Sequence, residues 1–251
     1  KKNYTFNTNS DTEVLLKAFQ EYGEKCVDHF IGMWSFAIWD LKNKKLFLSR
    51  DPFGEKPLYY TLGHNFFFFA SEIKFIKSLC KKKFEINKDK IYENIFFGYK
   101  SLNKDESTFY KEIYSIENGT NLTIDLDLNI LKNKYWQPKA HIKKNMNAQE
   151  AAEGTNYYLT NSLKLRMRSD VPIAFCLSGG VDSGILASHA KKTFEKKIST
   201  FSIIDKDPRY NESCNINSVV NDLECESNSI RIENQQDNFF NRLSDLTNYH
   251  D

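Results

Sequence analysis

The sequence predicts an α/β protein in two parts, a layered domain with antiparallel strand pairs followed by a doubly wound parallel sheet. Three observations carry that prediction. Residues 171–177 form an apolar run that ends in Ser178-Gly179-Gly180-Val181-Asp182-Ser183, and a helical pattern follows over 181–194. Residues 198–204 repeat such a run at a distance that suits a βαβ crossover. Earlier in the chain, aromatic and β-branched residues recur in two pairs of short strands, each pair joined by a polar turn.

Taken in order, Ser10 or Asp11 caps a helix whose Val14, Leu15, Ala18 and Phe19 share a face and which Gly23 closes. As a sequence feature alone, Asp11 is a helix cap. Residues 33–40 and 46–51 form a hairpin around Lys42-Asn43-Lys44, and 58–61 with 66–70 form a second around Gly63-His64-Asn65. Both faces of these strands are apolar, so each face needs a cover, which implies a sheet inside a layered domain. Residues 75–79 and 88–97 form short helices. Residues 112–120 and 122–126 form a hairpin turning at Asn118-Gly119. The polar stretch 137–147, with Pro138, is the best linker. A long helix over 148–168 turns Ala152, Tyr157, Leu159, Leu163 and Leu165 inward, and Arg166 and Arg168 complement the dipole at its end. Beyond the strand at 198–204 come a helix over 211–223, a third strand over 228–232 and a last helix over 237–249.

Lys and Arg number 35 against 33 Asp and Glu, a net charge of +2, which lacks the clustered basic excess of a nucleic-acid surface. The basic runs at 42–45 and 81–83 are solvated turns. No apolar run reaches the roughly 18 residues of a membrane span, and no charged-then-apolar start suggests a signal peptide, so a cytoplasmic protein is expected. The 5 cysteines, Cys26, Cys80, Cys176, Cys214 and Cys225, show no Cys-x-x-Cys spacing, and the 5 histidines are scattered, which argues against a zinc site or a disulfide framework.

The chemistry concentrates at 178–183. Adjacent glycines let successive N–H groups turn toward one anion, and the helix that follows aims its positive end at the same place. No Gly-Lys-Ser/Thr follows, so the loop is not a Walker A sequence. Asp182 is the informative difference: a carboxylate beside phosphate implies a hard cation between them, Mg²⁺ bridging Asp182 and a pyrophosphate. The bland alternative is a strand-turn-helix corner whose serines and aspartate cap a helix. In a doubly wound sheet a nucleotide lies across the carboxyl ends of neighbouring strands, which makes Leu177 and Ile203 candidate contacts for adenine, though both also suit plain core.

Leu177-Ser178-Gly179-Gly180-Val181-Asp182-Ser183 after Ser169-Asp170-Val171-Pro172 resembles the pyrophosphate loop of glutamine-hydrolysing asparagine synthetases. The resemblance extends through Ser10-Asp11-Thr12-Glu13, Gly32-Met33-Trp34-Ser35-Phe36-Ala37, Arg50-Asp51-Pro52-Phe53-Gly54-Glu55-Lys56-Pro57-Leu58-Tyr59-Tyr60 and Phe69-Ala70-Ser71-Glu72. It implies an N-terminal-nucleophile αββα sandwich over 1–140, lacking its start, then an ATP-pyrophosphatase domain over 145–251, lacking its end. Asp11 would hold the α-ammonium of glutamine. Leu177, Ser178, Gly179, Gly180, Asp182, Ser183 and Ile203 would bind ATP, and Asp182 would bind Mg²⁺. The implied activity makes asparagine from aspartate through β-aspartyl-AMP, with glutamine-derived ammonia. Partners would be those small molecules, with no nucleic acid or membrane, and a homodimer stays open. The 50–60 segment matches densely but is expected to serve packing near the domain junction.

One departure stands out. The family's nucleophile is an N-terminal cysteine, yet Lys1 stands first here, and the family's Arg-His-Arg-Gly-Pro and Asn-Gly-Glu segments are absent. The expectation is an internal fragment that cannot itself hydrolyse glutamine. A related amidotransferase or cyclising synthetase acting on another carboxylate, and a non-catalytic nucleotide-binding protein, remain as alternatives.

Overall fold

The computed structural model describes residues 4–98, 104–140, 142, 145–194, 197–231 and 239–250. The chain divides into two compact units, Lys1–Ala140 with Thr247–Asp251, and His141–Leu246. The expected start at Lys1-Lys2-Asn3, the end of the third strand at Ile232, the first turn of the last helix at Asp237 and the terminal Asp251 lie outside the described residues.

In the first unit, α1 (Asp11–Tyr22) is capped by Ser10, whose Oγ accepts the Thr12 N–H at 3.2 Å. The Glu13 carboxylate reaches back to the N–H groups of Asn7 (2.9 Å) and Thr8 (2.7 Å) and to the Thr8 hydroxyl, and that hydroxyl bond leads in holding its pKa below the usual range. Gly23, at φ +59°, ends the helix, and a 3-10 turn over Gly23–His29 buries Cys26 and Val27. The strands β1 (Ser35–Asp40) and β2 (Lys45–Arg50) pair antiparallel with Ile38 opposite Phe47. The second hairpin, β3 (Tyr59–Leu62) and β4 (Phe67–Ala70), also forms as expected. Helices α2 (Ile73–Cys80) and α3 (Lys88–Phe97) follow, the second capped by Asn87.

The expected hairpin over 112–126 does not form. The strand β5 (Tyr114–Ser115) pairs with β3, whereas β6 (Thr120–Ile124) pairs with β2 and with β7 (Ile130–Lys134). Asn118-Gly119 therefore carries the chain from one sheet to the other. Long-range bonds decide this: Ile116 N–H goes to Leu58 O (2.9 Å) and Gly119 N–H to Asp51 O (2.8 Å). The hairpin that does form, β6 with β7, turns on Asp125, whose Oδ1 accepts the N–H groups of Asp127 and Asn129.

The two sheets, ordered β1-β2-β6-β7 and β4-β3-β5, face each other. Leu48, Leu122 and Ile124 of the first meet Leu58, Tyr60 and Ile116 between them. Phe47 points the opposite way, onto Cys26, Val27, Ala18 and Phe19. On the outer face of the second sheet, Ile73 and Ile76 of α2 join Phe84 and Ile113. Strand alternation thus serves a core on each side of each sheet, and each buried Leu, Ile or Phe contributes on the order of 1.5–3 kcal/mol.

The second unit opens with α4 (Ala148–Arg166), held by a reciprocal Asn147–Glu150 capping box. Of the five residues expected to face inward only Leu163 is buried, while Tyr157 is 64% exposed. The parallel sheet is ordered β10-β9-β8, from β8 (Ala174–Cys176), β9 (Ser199–Ile204) and β10 (Glu226–Arg231). The crossover helices α5 (Val181–Phe194) and α6 (Ser213–Leu223) pack together on one face around Ala187, Ala190, Leu223 and Phe175. The other face is open, with Phe201 48% and Ile203 68% exposed. The expectation of a strand over 171–177 buried on both faces is therefore corrected: β8 is a short edge strand and Val171 is 65% exposed. Double winding needs helices on both faces, and the described helices of this unit cover one. A last helix, α7 (Phe239–His250), closes the described chain.

Candidate functional sites

Leu177 N–H bonds Phe201 O at 2.8 Å, extending the ladder one residue past β8, and its side chain is 1% exposed. Leu177 is therefore a core residue that anchors the start of the loop, not the exposed apolar contact for adenine that the sequence suggests. Gly179 then takes φ +83°, a conformation that strains any residue with a side chain. A Cβ there would lie 2.8 Å from Glu212 Cβ and 3.1 Å from Glu212 O. The two serines lock the turn. Ser183 Oγ donates to Gly180 O (3.1 Å) and accepts from Ser178 N (3.2 Å), so the Ser178 hydroxyl donates to Ser183 Oγ (3.1 Å) while accepting from Gly180 N (3.3 Å). The loop is thus pre-formed, and the first-turn N–H groups of α5 point out of it with no acceptor inside the helix.

Gly179 and Gly180 line a cavity of about 570 Å³ between α5 and α6, with Gly184, His189, Lys192 and Asn215. His189 Nε2 donates to Thr160 Oγ1 (2.7 Å), because that hydroxyl already donates to Asn156 O. Lys192 pairs with Asp222 at 3.1 Å. Asp182 is exposed at the mouth of the helix, whereas Ile203 lies on the open sheet face and does not line this cavity. Glu212 and Asn215, which press on the loop from α6, carry no signal in the sequence because only folding brings them there.

Among the described residues no three His, Cys, Asp or Glu side chains cluster as a metal cage. The exposed Asp182 carboxylate beside the loop is the kind of oxygen donor that suits a cation shared with substrate oxygens, the usual manner of Mg²⁺.

In the first unit, Asp11 opens α1 and lines a cavity of about 580 Å³ with Leu15, His29, Phe30, Met33, Trp34 and Lys56. Since Ser10 supplies the cap, the Asp11 carboxylate is left for the cavity, with a long contact to Thr12 Oγ1 (3.5 Å). Lys56 reaches this cavity from the loop after β2, which is wrapped around two buried charges. Asp51, 0% exposed, accepts the N–H groups of Phe53 (3.0 Å), Glu55 (3.1 Å) and Lys56 (3.0 Å). Arg50, 8% exposed, donates to Lys56 O (2.8 Å), Gly54 O (2.8 Å), Ser115 Oγ (2.9 Å) and Ile116 O (2.6 Å), and burial lowers its pKa. The segment expected only to pack is thus a rigid mount, and the signal available was the adjacent Arg-Asp pair before a Pro- and Gly-containing loop.

Cys26 is 0% exposed, and burial pushes its thiol up to about 11. At pH 8 roughly one molecule in 10³ carries the thiolate, so it is no nucleophile. Under thiol labelling at that pH, exposed Cys176 and Cys214 react first and Cys26 reacts only on unfolding; fast modification of Cys26 in the folded protein would contradict its burial.

The chain matches two families: the glutamine amidotransferase domain over residues 1–136 and asparagine synthase over 155–251. It is 36% identical over 223 residues to a putative glutamine-hydrolysing asparagine synthetase 2 of Methanocaldococcus jannaschii, covering 88% of this chain and 42% of that protein. It is 36% identical over 203 residues to asparagine synthetase 1 of Bacillus subtilis, covering 80% and 31%. Amidase chry2 of Gibberella zeae is 29% identical over 187 residues, 73% of this chain and 27% of its own length. The chain thus spans less than half the length of each of these relatives. With one family matching more than half of its residues and the second most of the remainder, the chain belongs to the glutamine-hydrolysing asparagine synthetase family.

Proposed function

We propose that this chain serves the ATP-dependent amidation of aspartate to asparagine, with 1–140 as a glutamine amidotransferase domain of the N-terminal-nucleophile type and 145–251 as a doubly wound ATP-pyrophosphatase domain. The observation that carries the reading is the pre-formed loop at 178–183, self-locked by its serines and emptying onto the first turn of α5. An aspartate β-carboxylate is a poor electrophile until one oxygen becomes a leaving group. Its attack on the α-phosphorus of ATP releases pyrophosphate, and the developing charge would be met by the first-turn N–H groups of α5, which the serine-locked turn leaves without acceptors inside the helix. Ammonia then attacks the acyl carbon of the mixed anhydride, AMP leaves, and asparagine forms. Asp182 would hold Mg²⁺, which neutralises phosphate charge. Leu177 would fix the loop through its backbone, and Ile203 would supply an apolar surface for adenine.

Asp11 would pair with the ammonium of glutamine. None of the five cysteines is suited to attack its amide: Cys26 is sealed, and the others lie outside the Asp11 cavity, so these residues alone are not expected to release ammonia.

The test is aspartate-dependent exchange of label between pyrophosphate and ATP. Asp182→Ala is expected to reduce it by about 100-fold or more, the scale of losing a pre-placed electrostatic partner. Exchange that ignores aspartate, or that survives in the variant, would sink the assignment. The similarity to an amidase favours one second reading, a related amidotransferase with another carboxylate substrate, and exchange driven by a different acid would select it.

A further inference from the structure

We propose that Asn118-Gly119 is a self-modification site which the Asp51 loop keeps shut, so that opening of this junction lets Asn118 convert irreversibly to aspartate or isoaspartate. It is the one Asn-Gly step in the sequence. In such a step the backbone nitrogen after the asparagine is the nucleophile. Its proton goes to solvent base, a bond forms from that nitrogen to the side-chain Cγ, the Cγ–Nδ2 bond breaks, and the amide leaves as ammonia. Water then opens the five-membered imide on one side or the other, giving the two acids. A glycine has no side chain to hinder closure of that ring.

The fold blocks each part of the attack. Gly119 is buried and its N–H donates to Asp51 O at 2.8 Å, so the nitrogen can neither lose its proton nor turn toward Asn118 while that bond holds. The leaving amide is tied as well, with Nδ2 donating to Pro52 O at 2.8 Å and Lys134 Nζ 3.5 Å from Oδ1. Both acceptor carbonyls belong to the start of one loop, which the Asp51 carboxylate holds through the N–H groups of Phe53, Glu55 and Lys56. That loop is the gate. Glycine itself is required at this turn, since its φ is +60° and a Cβ would lie 2.6 Å from Trp136 O. The reactive pair therefore stays and is restrained by hydrogen bonds. Its product does not fit back: a carboxylate at position 118 has no N–H to give Pro52 O, and isoaspartate inserts one carbon into the main chain ahead of the Gly119 nitrogen.

The experiment incubates the full chain at pH 8, folded and in urea, and follows Asn118 by peptide mapping with enzymatic methylation of isoaspartate. Conversion in the folded chain is expected to be about 100-fold slower than in urea, the scale of a local opening equilibrium. Asp51→Ala keeps the main-chain carbonyl but frees the loop, and is expected to raise the folded rate at least about tenfold. Should that variant not fold, sub-denaturing urea on the parent takes its place, and conversion should rise in step with hydrogen exchange at the Gly119 N–H. Equal rates in the folded and unfolded chain overturn the proposal. So does a folded rate that Asp51→Ala leaves unchanged, or one that does not follow exchange at Gly119. Chain converted in urea and then refolded is expected to unfold at lower denaturant than the parent, with a smaller loss for Asn118→Asp, which gains the charge without the extra carbon. A converted chain as stable as the parent overturns the one-way step.

Discussion

Replacing Asp51 by Ala is expected to cost the first unit about 3–5 kcal/mol, the range for removing one partner from a buried charged network. The carboxylate is 0% exposed and accepts three backbone N–H groups, from Phe53, Glu55 and Lys56. Truncation leaves those part-buried donors without their acceptor, at up to roughly 1–3 kcal/mol each where water does not replace it. It also leaves the Arg50 guanidinium, 8% exposed, with only neutral acceptors among its described hydrogen bonds. Asp51→Asn is expected to be milder, because the amide keeps one oxygen, although its NH₂ group must then face an N–H. The readout is selective, because Trp34, Trp39 and Trp136 all lie within Lys1–Ala140. Denaturant unfolding followed by tryptophan fluorescence therefore reports this unit alone. A shift under about 1 kcal/mol for Asp51→Ala would mean that the loop is held by its flanking strands, not by the charges at its centre.

That mount shows where sequence reasoning ended. The Arg50–Tyr60 segment was recognisable as a motif, but what it builds depends on Asp51 accepting from residues just ahead of it while Arg50 reaches Ser115 and Ile116 far along the chain. Local signals were read well. Ser10 as a cap, Gly23 as a stop, both hairpins before residue 71 and the helix starting at Lys88 all rest on contacts within a few residues. Partner choice between sheets was not legible. Asn118-Gly119 carries a hairpin's turn chemistry, and nothing nearby says that Tyr114 will join β3 while Leu122 joins β2.

The second unit misled in a different way. Val171-Pro172-Ile173-Ala174-Phe175-Cys176-Leu177 is apolar throughout, and continuous apolarity on a strand implies cover on both faces. In the described chain, period-two burial appears in β9 instead, with Thr200 and Ser202 inside and Phe201 and Ile203 outside. Apolar residues on a strand state what could be buried, and the elements that bury them are a separate matter. The candidate site was legible for the same reason as the caps: Ser178 to Ser183 bond to one another. The pressure of α6 on Gly179 was not, since Glu212 arrives only through the crossover.

That pressure leads to the second large effect, in which the two adjacent glycines behave differently. Gly179→Ala is expected to lower aspartate-dependent ATP–pyrophosphate exchange by about 100-fold, the penalty for a misplacement near 1 Å in a positioned site. Its φ of +83° costs an L-residue roughly 1–3 kcal/mol, and the new Cβ would meet Glu212 Cβ at 2.8 Å and Glu212 O at 3.1 Å. Glu212 O also accepts the Ile216 N–H at 3.0 Å as α6 begins, so that backbone cannot retreat without loosening the first turn. The loop must move instead, away from the hydrogen bonds that fix Ser178 against Ser183. Gly180 has no positive φ, and a Cβ there would meet only the Ser178 Oγ at 3.3 Å, a contact relieved by a shift of a few tenths of an ångström that keeps the Ser178–Ser183 bond. Gly180→Ala is accordingly expected to keep exchange within a few-fold of the parent. Tryptophan-monitored unfolding should leave both variants alike, since the probes sit in the other unit, while far-ultraviolet circular dichroism checks that α5 and α6 remain folded. Equal losses in the two variants would mean that glycine serves this turn through general flexibility. A selective loss at Gly179 would tie the chemistry to the place where α6 presses on the loop.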